Sequence, residues 1–136
     1  MSETKSAAAA VLERVLQVDP EALLTSRQVV LLHALQPAGS GNANTIRGLS
    51  AAFNMRKPTI TRAIDKLASL GFAERAPDPE DGRSVLVYST AYGQAVKAFL
   101  DGDEGAEAKL NAARKAWKAK QTRAAAKSVK QQATAA

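Results

Sequence analysis

Two short amphipathic segments follow one another between residues 44 and 71, with only four residues between them. The apolar positions of the first segment are Ile46, Leu49, Ala52 and Phe53. Those of the second segment are Ile60, Ala63, Ile64, Leu67 and Leu70. Both sets recur at the three- and four-residue spacing that places side chains on one face of an α-helix. Because so short a connection keeps the two helices side by side, the pattern predicts a helix-turn-helix that shares one core.

Local signals set the ends of these two helices. Asn44 or Thr45 can cap the first helix with a side-chain oxygen, and that helix should close near Asn54. Pro58 suits the first position of the second helix, because the amide it lacks would have no partner there. Gly71 follows the last apolar position, as is typical of a helix C-terminus. The residues between the helices therefore form a tight turn.

The periodicity changes after the second of these helices. Residues 72–76 and 84–89 are short and rich enough in β-branched or aromatic side chains to predict strands. Between them, residues 77–82 (Pro-Asp-Pro-Glu-Asp-Gly) favour a turn throughout. The two strands should pair as a hairpin with a protruding loop. Helical spacing resumes at Thr90 and lasts to Gly102.

Further helices flank this region. Residues 6–18 predict an amphipathic helix that ends at the dipeptide Asp19-Pro20. Thr25, followed three residues later by Gln28, has the form of a capping box and begins a largely buried helix that lasts until Pro37. An Ala/Lys-rich stretch predicts a last helix from about residue 106 to 125, followed by a frayed basic end.

Charge is distributed unevenly along the chain. Residues 1–102 carry 11 basic and 10 acidic side chains, whereas residues 103–136 carry 8 and 3. Inside the nearly neutral first part, residues 44–75 hold six basic side chains against two acidic ones. Such a local surplus is typical of a surface that faces phosphates, although a solvated helix face can show the same pattern.

The composition excludes several classes of function. The chain has no cysteine and one histidine, so it offers no disulfide, no thiolate nucleophile and no sulfur-ligated zinc site. We predict no enzyme, no metal site and no cofactor. No stretch approaches the roughly 20 apolar residues of a membrane span, and the N-terminus lacks the unbroken apolar core of a secretory signal. We therefore expect a cytoplasmic protein without a membrane partner.

The order of elements and two motifs resemble the MarR family of bacterial transcription regulators. The resemblance runs from about residue 24 to residue 100. It is carried by residues 24–28 (Leu-Thr-Ser-Arg-Gln), by Thr59-Ile60-Thr61-Arg62 leading into residues 65–67 and 70–72, and by residues 78–84 (Asp-Pro-Glu-Asp-Gly-Arg-Ser). A Thr-x-Thr-Arg helix start followed about 20 residues later by an Asp-x-Arg loop is fairly specific as a pair.

This resemblance implies a mainly α fold with a small two- or three-stranded β-wing. The fold would be a winged helix-turn-helix whose N- and C-terminal helices form a dimerisation region. It also implies an obligate homodimer on double-stranded DNA at the bacterial nucleoid, with the second helix of the motif in the major groove and the wing tip near the minor groove. Family members often release DNA when a small molecule or an oxidant alters the dimer. Without cysteine, thiol oxidation is excluded, and a small-molecule effector stays open.

The outward face of the second helix carries groups that can contact DNA bases. At about 100° per residue, Thr59, Arg62 and Lys66 fall in one narrow sector, nearly opposite the apolar positions. Arginine can donate two hydrogen bonds to a guanine edge, and threonine can bond base edges or touch a thymine methyl. We assign base contacts to Thr59, Thr61 and Arg62 and phosphate contacts to Lys57 and Lys66. The predicted DNA-binding residues here are Arg56, Lys57, Thr59, Thr61, Arg62 and Lys66, the alternative being an ordinary solvated face.

The loop between the predicted strands is the candidate wing, formed by Asp81, Gly82 and Arg83. Arg83 lies at the base of a protruding loop, where its guanidinium could enter a narrow minor groove and meet the negative potential there. The alternative is that Asp81 pairs with Arg83 to hold the loop. Both roles are compatible, with Asp81 orienting the arginine.

The first and last helices each offer an apolar stripe that the domain between them can hardly cover. Pairing of two chains would bury both stripes, and the predicted contacts are Leu12, Val15, Leu16, Leu110 and Trp117. Trp117 is interpreted as an anchor against the partner's first helix, with a ligand-pocket wall or chance exposure as alternatives. A twofold dimer presents two recognition helices to half-sites about one DNA turn apart, which predicts a pseudo-palindromic operator.

These predictions divide the chain into four parts. They are an N-terminal dimerisation helix (1–22), a winged helix-turn-helix DNA-binding domain (23–100), a C-terminal dimerisation helix (101–126) and a flexible basic tail (127–136). The predicted function is a sequence-specific DNA-binding regulator that acts as a repressor. The alternative is a winged-helix adapter that binds protein with little sequence-specific DNA binding. The basic tail is either solvated or makes nonspecific contact with DNA.

Overall fold

The computed structural model describes residues 6–18, 24–40 and 43–135. The helices are α1 (Ala7–Val18), α2 (Ser26–Ala34), α3 (Ile46–Phe53), α4 (Lys57–Ser69), α5 (Ala91–Leu100) and α6 (Ala106–Ala135). The strands are β1 (Asn44–Thr45), β2 (Ala73–Pro77) and β3 (Val85–Ser89). This architecture confirms the predicted mainly α fold with a small β-wing. None of the helices in these ranges combines the length and the apolar character needed to cross a membrane.

Capping bonds fix the ends of the helix-turn-helix. Of the two predicted caps, Thr45 caps the N-terminus of α3, since its hydroxyl accepts a hydrogen bond of 2.9 Å from the Gly48 N–H. Asn54 ends α3 with a left-handed φ of 51°, a conformation that asparagine tolerates better than most residues. Helix α4 begins at Lys57, one residue before the predicted start. Pro58 thus occupies the second position, where its missing amide would again lack a helical partner.

The predicted capping box of α2 is confirmed. The Thr25 hydroxyl accepts from the Gln28 N–H at 3.2 Å, and the Gln28 side-chain oxygen accepts from the Thr25 N–H at 2.9 Å. The helix ends at Ala34, before the predicted stop at Pro37, because Leu35 is already extended with a ψ of 137°. Helix α1 is described to Val18, and the dipeptide Asp19-Pro20 that should end it lies outside the described residues.

The small sheet has the strand order β1-β3-β2, and both pairs are antiparallel. Strand β2 pairs with β3 in a register that places Ala73 opposite Ser89 and Pro77 opposite Val85. These two strands form the predicted hairpin. Strand β2 is shifted by one residue from the predicted bounds, and β3 begins one residue later than predicted and ends where predicted. The opposite edge of β3 pairs with β1. Strand β1 has only two residues, which is too short for an alternation of apolar and polar side chains to indicate a strand in the sequence.

The core lies where α4 faces α2, α3 and the sheet. Four positions of the predicted stripe of α4 are buried, namely Ile60, Ala63, Ile64 and Leu67, and the fifth, Leu70, is half-buried just after the helix. Full burial of an aliphatic side chain of this size contributes about 1.5–3 kcal/mol, so this stripe fixes which face of α4 points outward. Among the residues that pack with it are Leu31, Leu32, Leu49, Phe72, Val87 and Val96.

Polar contacts tie α2 to α5. The His33 Nε2 atom lies 3.1 Å from Asp101 Oδ1, and Nδ1 lies 3.0 Å from the Val29 carbonyl oxygen. The Lys97 ammonium donates a hydrogen bond of 2.8 Å to the carbonyl oxygen of Leu35, at the end of α2. Burial lowers the pKa of Lys97, and the nearby Asp101 carboxylate opposes this shift. Helix α2 is therefore held against α5, the helix that leads to the terminal segment.

Helix α6 is longer than predicted. It continues to Ala135, past the expected end near residue 125 and through most of the segment predicted as a flexible tail. After Gly105 the chain contains no glycine or proline and is dominated by alanine, lysine and glutamine, which are strong helix formers. Its first half packs on α5, whereas the side chains of residues 118–128 are all exposed.

Trp117 packs against its own chain. Its ring centroid lies 6.4 Å from that of Tyr92. A Cβ atom on Gly71, which follows α4 with a φ of 86°, would lie only 2.6 Å from the Trp117 ring. The tryptophan thus attaches α6 to the end of α4 within the chain, and its role as an anchor on a partner's first helix stays a prediction.

Two other predicted dimer contacts are also covered by the chain itself. Val15 and Leu110 are 8% and 2% exposed because α1 and α6 both pack against α5. The expectation that the domain leaves both terminal stripes uncovered is wrong for these residues. Leu12 and Leu16, by contrast, are 59% and 69% exposed on the outer side of α1.

Gly93 of α5 lies directly against the main chain, since a Cβ atom there would be 2.1 Å from the Phe72 carbonyl oxygen. We expect Gly93→Ala to lower the free energy of unfolding by about 1–3 kcal/mol, despite the higher helix propensity of alanine. Denaturant unfolding measures this change. The matched control is Gly82→Ala in the wing, where a Cβ meets nothing within 4 Å. Equal stabilities of the two variants would contradict the close approach.

Candidate nucleic-acid interface

The polar sector of α4 faces outward as the helical period predicted. Arg62 and Lys66 are exposed and Thr59 is half-buried, while the opposite face of the helix lies in the core. The core contacts of α4 hold these side chains on the surface. This sector therefore presents a hydroxyl, a guanidinium and an ammonium to any molecule that approaches it.

An open cleft lies between the N-terminal half of α4 and the wing. Its lining comprises Thr45, Ile46, Arg47, Lys57, Thr61, Asp81, Arg83, Ser84 and Val85. Exposed cations thus reach the cleft from three elements, with Arg47 on α3, Lys57 on α4 and Arg83 on the wing. Thr61 and Arg83, predicted as site residues from two separate motifs, lie on this one surface.

A second depression lies on the other side of α4, against the start of α2. Its lining comprises Thr25, Arg27, Gln28, Thr59, Arg62 and Ala63. The predicted contact residues therefore divide between two sides of the helix. Thr59 and Arg62 face α2, and Lys57 and Thr61 face the wing. Together the two sides form one polar and basic surface around the N-terminal half of α4.

Asp81 orders the loop of the wing. Its carboxylate accepts hydrogen bonds from the Arg83 backbone N–H at 3.0 Å and from the Ser84 hydroxyl at 3.2 Å. The Asp78 N–H donates to the Ser84 carbonyl oxygen at 3.1 Å and closes the loop. Within the part of the chain that the structure describes, the exposed Arg83 guanidinium has no carboxylate partner. Asp81 thus holds the backbone around Arg83 and leaves the arginine charge free for a ligand.

Arg75 of β2 is attached to α4. Its guanidinium donates to the Asp65 carboxylate and, at 3.3 Å, to the Thr61 carbonyl oxygen. Such an exposed ion pair adds at most about 1 kcal/mol to stability. The larger consequence of this ion pair is electrostatic, because the Arg75 charge offsets the negative charge of Asp65 on the exposed surface of α4. An approaching polyanion meets less repulsion there.

Three arginines were not predicted as site residues. Arg27 and Arg47 line the two depressions, and Arg75 neutralises the acid on α4. Arg47 and Arg75 belong to the basic surplus of residues 44–75, and that surplus is the sequence feature that could have marked them as site residues. Of the predicted residues, Arg56 and Lys66 are exposed beside the site but line neither depression.

The order of helices and strands around this surface defines a winged helix-turn-helix protein. A family model described as the MarR family matches residues 24–85, from just before the cap of α2 to the start of β3. Over these residues the chain is similar to the MarR family, as its motifs indicated.

Curated relatives match the same part of the chain. An HTH-type transcriptional regulator of Mycobacterium tuberculosis is 43% identical over 68 residues, which cover 49% of this chain and 48% of the relative. An uncharacterized HTH-type transcriptional regulator of Mycobacterium leprae is 41% identical over 68 residues, with the same coverage of both chains. The chain spans about half the length of the curated relatives it matches.

Solved structures match over a larger share of the chain. Wild-type MarR from E. coli in its apo form is 23% identical with a TM-score of 0.58, covering 90% of this chain and 87% of that chain. A mutant of E. coli MarR complexed with operator DNA is 24% identical with the same TM-score, covering 90% and 84%. A mutant of S. aureus MepR is 20% identical with a TM-score of 0.58, covering 90% and 85%. At these identities the matches establish the fold.

Proposed function

We propose that the chain is a sequence-specific DNA-binding repressor that acts as a homodimer on a pseudo-palindromic operator at the bacterial nucleoid. The observation that carries this proposal is the exposed polar sector of α4 beside the wing. The wing is held by Asp81, and the Arg83 guanidinium has no carboxylate partner among the described residues. Thr59, Thr61 and Arg62 contact base edges, Lys57 and Lys66 bind phosphates, and Arg83 enters the minor groove. The E. coli MarR structure with operator DNA shares this fold and supports the proposal.

The homodimer rests on the outer side of α1. Leu12 and Leu16 lie four residues apart and are largely exposed, so they form one apolar strip that the described residues do not cover. A second copy of the same strip buries both, which is the self-complementary contact of a twofold dimer. In this proposal residues 1–22 and 101–126 form the dimerisation region. A small-molecule effector, which the family resemblance implies, stays a prediction.

Selection of bound sequences from random duplexes tests the proposed function. The purified full chain should enrich an inverted repeat whose half-sites lie about 10 base pairs apart, the spacing of one DNA turn. Repeating the selection at two salt concentrations separates base contacts from phosphate contacts, because only phosphate binding weakens steeply with salt. Recovery of no preferred sequence at either concentration would reject the proposal and favour the adapter that binds protein.

Arg83→Ala tests the role of the wing. We expect about a tenfold loss of affinity for operators with A/T-rich flanks and a smaller loss for G/C-rich flanks, since a narrow A/T-rich minor groove attracts the guanidinium most strongly. Gel-shift titrations on the two sets of duplexes measure the difference. Glu80→Ala in the same exposed loop is the matched control and should not weaken binding. Equal losses on all flanks would argue against groove insertion.

A further inference from the structure

The distal half of α6 carries positive charge that the winged domain does not use. Its basic side chains between residues 118 and 128 are Lys118, Lys120, Arg123 and Lys127, all exposed, and this stretch contains no acid. At about 100° per residue, three of them fall within a sector of about 60° on the helix. These three residues, Lys120, Arg123 and Lys127, are here called the cationic row.

The cationic row is unfavourable without a partner. Lys120 and Arg123 are three residues apart, and Arg123 and Lys127 are four apart, so both pairs bring like charges together on the helix surface. The first turn of the same helix carries the acid Glu107, whereas none stands among residues 118–128 to offset the row. The arrangement therefore suits a polyanion that supplies the missing negative charge.

The path of α6 carries the row past the C-terminal end of α4. Near its start, Leu110 shares a depression with Phe99, close to the end of α5. Farther along, Trp117 packs against Tyr92, at the start of α5, and over Gly71. Helix α6 thus runs antiparallel to α5 and reaches the winged domain at Trp117. The 18 residues from 118 to 135 extend about 27 Å beyond that point.

We propose that the cationic row is a second DNA-binding surface, which contacts duplex phosphates outside the sequence contacted by α4 and the wing. This inference rests on the proposed function, because the winged domain holds the duplex whose flanking phosphates the row contacts. Lysine and arginine on phosphates carry no base preference, so the row raises affinity and salt dependence without changing selectivity.

The composition of the exposed segment favours DNA over other polyanions. Alanine is the only apolar residue type between positions 118 and 128. A helix that binds an anionic membrane surface needs a face of large apolar side chains, such as leucine, phenylalanine or tryptophan. A stable protein interface likewise needs large buried anchors. A phosphate backbone needs neither, since charge alone supplies the attraction.

Two variants with matched charge test the inference in the full-length protein. The row variant carries Lys120→Gln, Arg123→Gln and Lys127→Gln. The control variant carries Lys109→Gln, Lys115→Gln and Lys118→Gln, which removes three charges from the same helix but leaves the row intact. Glutamine has nearly the helix propensity of lysine and arginine, so α6 stays helical in both, as circular dichroism can verify. Binding is measured on the selected operator, as a duplex of about 20 and of about 40 base pairs, the longer one extending beyond a dimer's two half-sites.

On the longer duplex we expect the row variant to bind at least about tenfold more weakly at low salt. Its plot of log K against log salt should become shallower by about 0.9 for each phosphate that the row no longer neutralises. The weakening should be smaller on the short duplex, where flanking phosphates are missing, and sequence preference should not change. The control variant should bind both duplexes with a salt slope close to that of the unmodified protein.

Equal affinities and slopes for the row variant and the control variant would overturn the inference. So would a row variant that keeps its DNA slope but no longer binds vesicles of phosphatidylcholine and phosphatidylserine, since the row would then serve a membrane surface. Failure of the proposed function looks different, because the unmodified protein would show no sequence preference. The slope comparison on an arbitrary duplex would still decide the role of the row.

Discussion

Replacing both Leu12 and Leu16 by aspartate should convert the proposed homodimer into a monomer and lower operator affinity by at least about 100-fold. The two leucines are 59% and 69% exposed, so the chain's own core loses little when they are replaced. Two aspartates on each copy would place four like charges in a self-complementary contact. A monomer binds one half-site and loses the gain in effective concentration that linkage to the second half-site provides.

Sedimentation equilibrium measures the mass of this variant, and gel-shift titration measures its affinity. Val30→Asp is the matched control, because Val30 is an aliphatic residue with 43% exposure that lies on α2. It should leave the mass unchanged. Thermal unfolding should show that the double variant still folds, whereas Val15→Asp, at a position only 8% exposed, should unfold the chain. A double variant that keeps the mass of a dimer would reject α1 as the dimer contact.

Features that depend on neighbouring residues were predictable from the sequence. The capping box of Thr25 and Gln28, the end of α3 near Asn54 and the hairpin each follow from residue types a few positions apart. The outward sector of α4 was predictable for the same reason, because a helix repeats every 3.6 residues. One side of that helix was apolar throughout, and the structure buries it.

Features that depend on packing between distant segments were not predictable. Trp117 meets Gly71 and Tyr92, and Leu110 is buried by packing on α5, although a stripe of apolar residues looks the same whether its own chain or a partner covers it. The pairing of Arg75 with Asp65 joins a strand to a helix, which no helical or strand period reports. The two depressions that divide the site between α2 and the wing arise in the same way.

The end of α6 was predicted wrongly, because two local effects oppose each other there: repulsion between like charges and helix propensity. The basic surplus after residue 125 favoured a frayed end, since neighbouring like charges weaken a helix by a few tenths of a kcal/mol per pair. Helix propensity acts in the opposite direction at every position, and residues 124–126 are all alanine. Summed over the stretch, propensity exceeds repulsion, and the helix continues to Ala135.

Arg62→Ala should weaken binding to the selected operator by about 1–3 kcal/mol for each half-site and should relax the base preference at the contacted position. The guanidinium is exposed on α4 beside the depression shared with α2, so its removal leaves the fold intact and unfolding measurements should agree within about 0.5 kcal/mol. A bidentate contact to guanine explains both effects, because alanine offers no donor to either guanine acceptor.

Lys66→Ala is the matched control for this prediction, since Lys66 lies in the same outward sector one turn farther along α4 and is equally exposed. Its removal should weaken binding to all duplexes about equally and reduce the salt slope by about 1, the behaviour of a phosphate contact. Competition titrations against operators with single base changes separate the two patterns. If Arg62→Ala keeps its selectivity and behaves like Lys66→Ala, then Arg62 binds phosphate and base contact must come from Thr59 and Thr61. Selectivity that survives the removal of all three side chains would mean that α4 does not contact the bases.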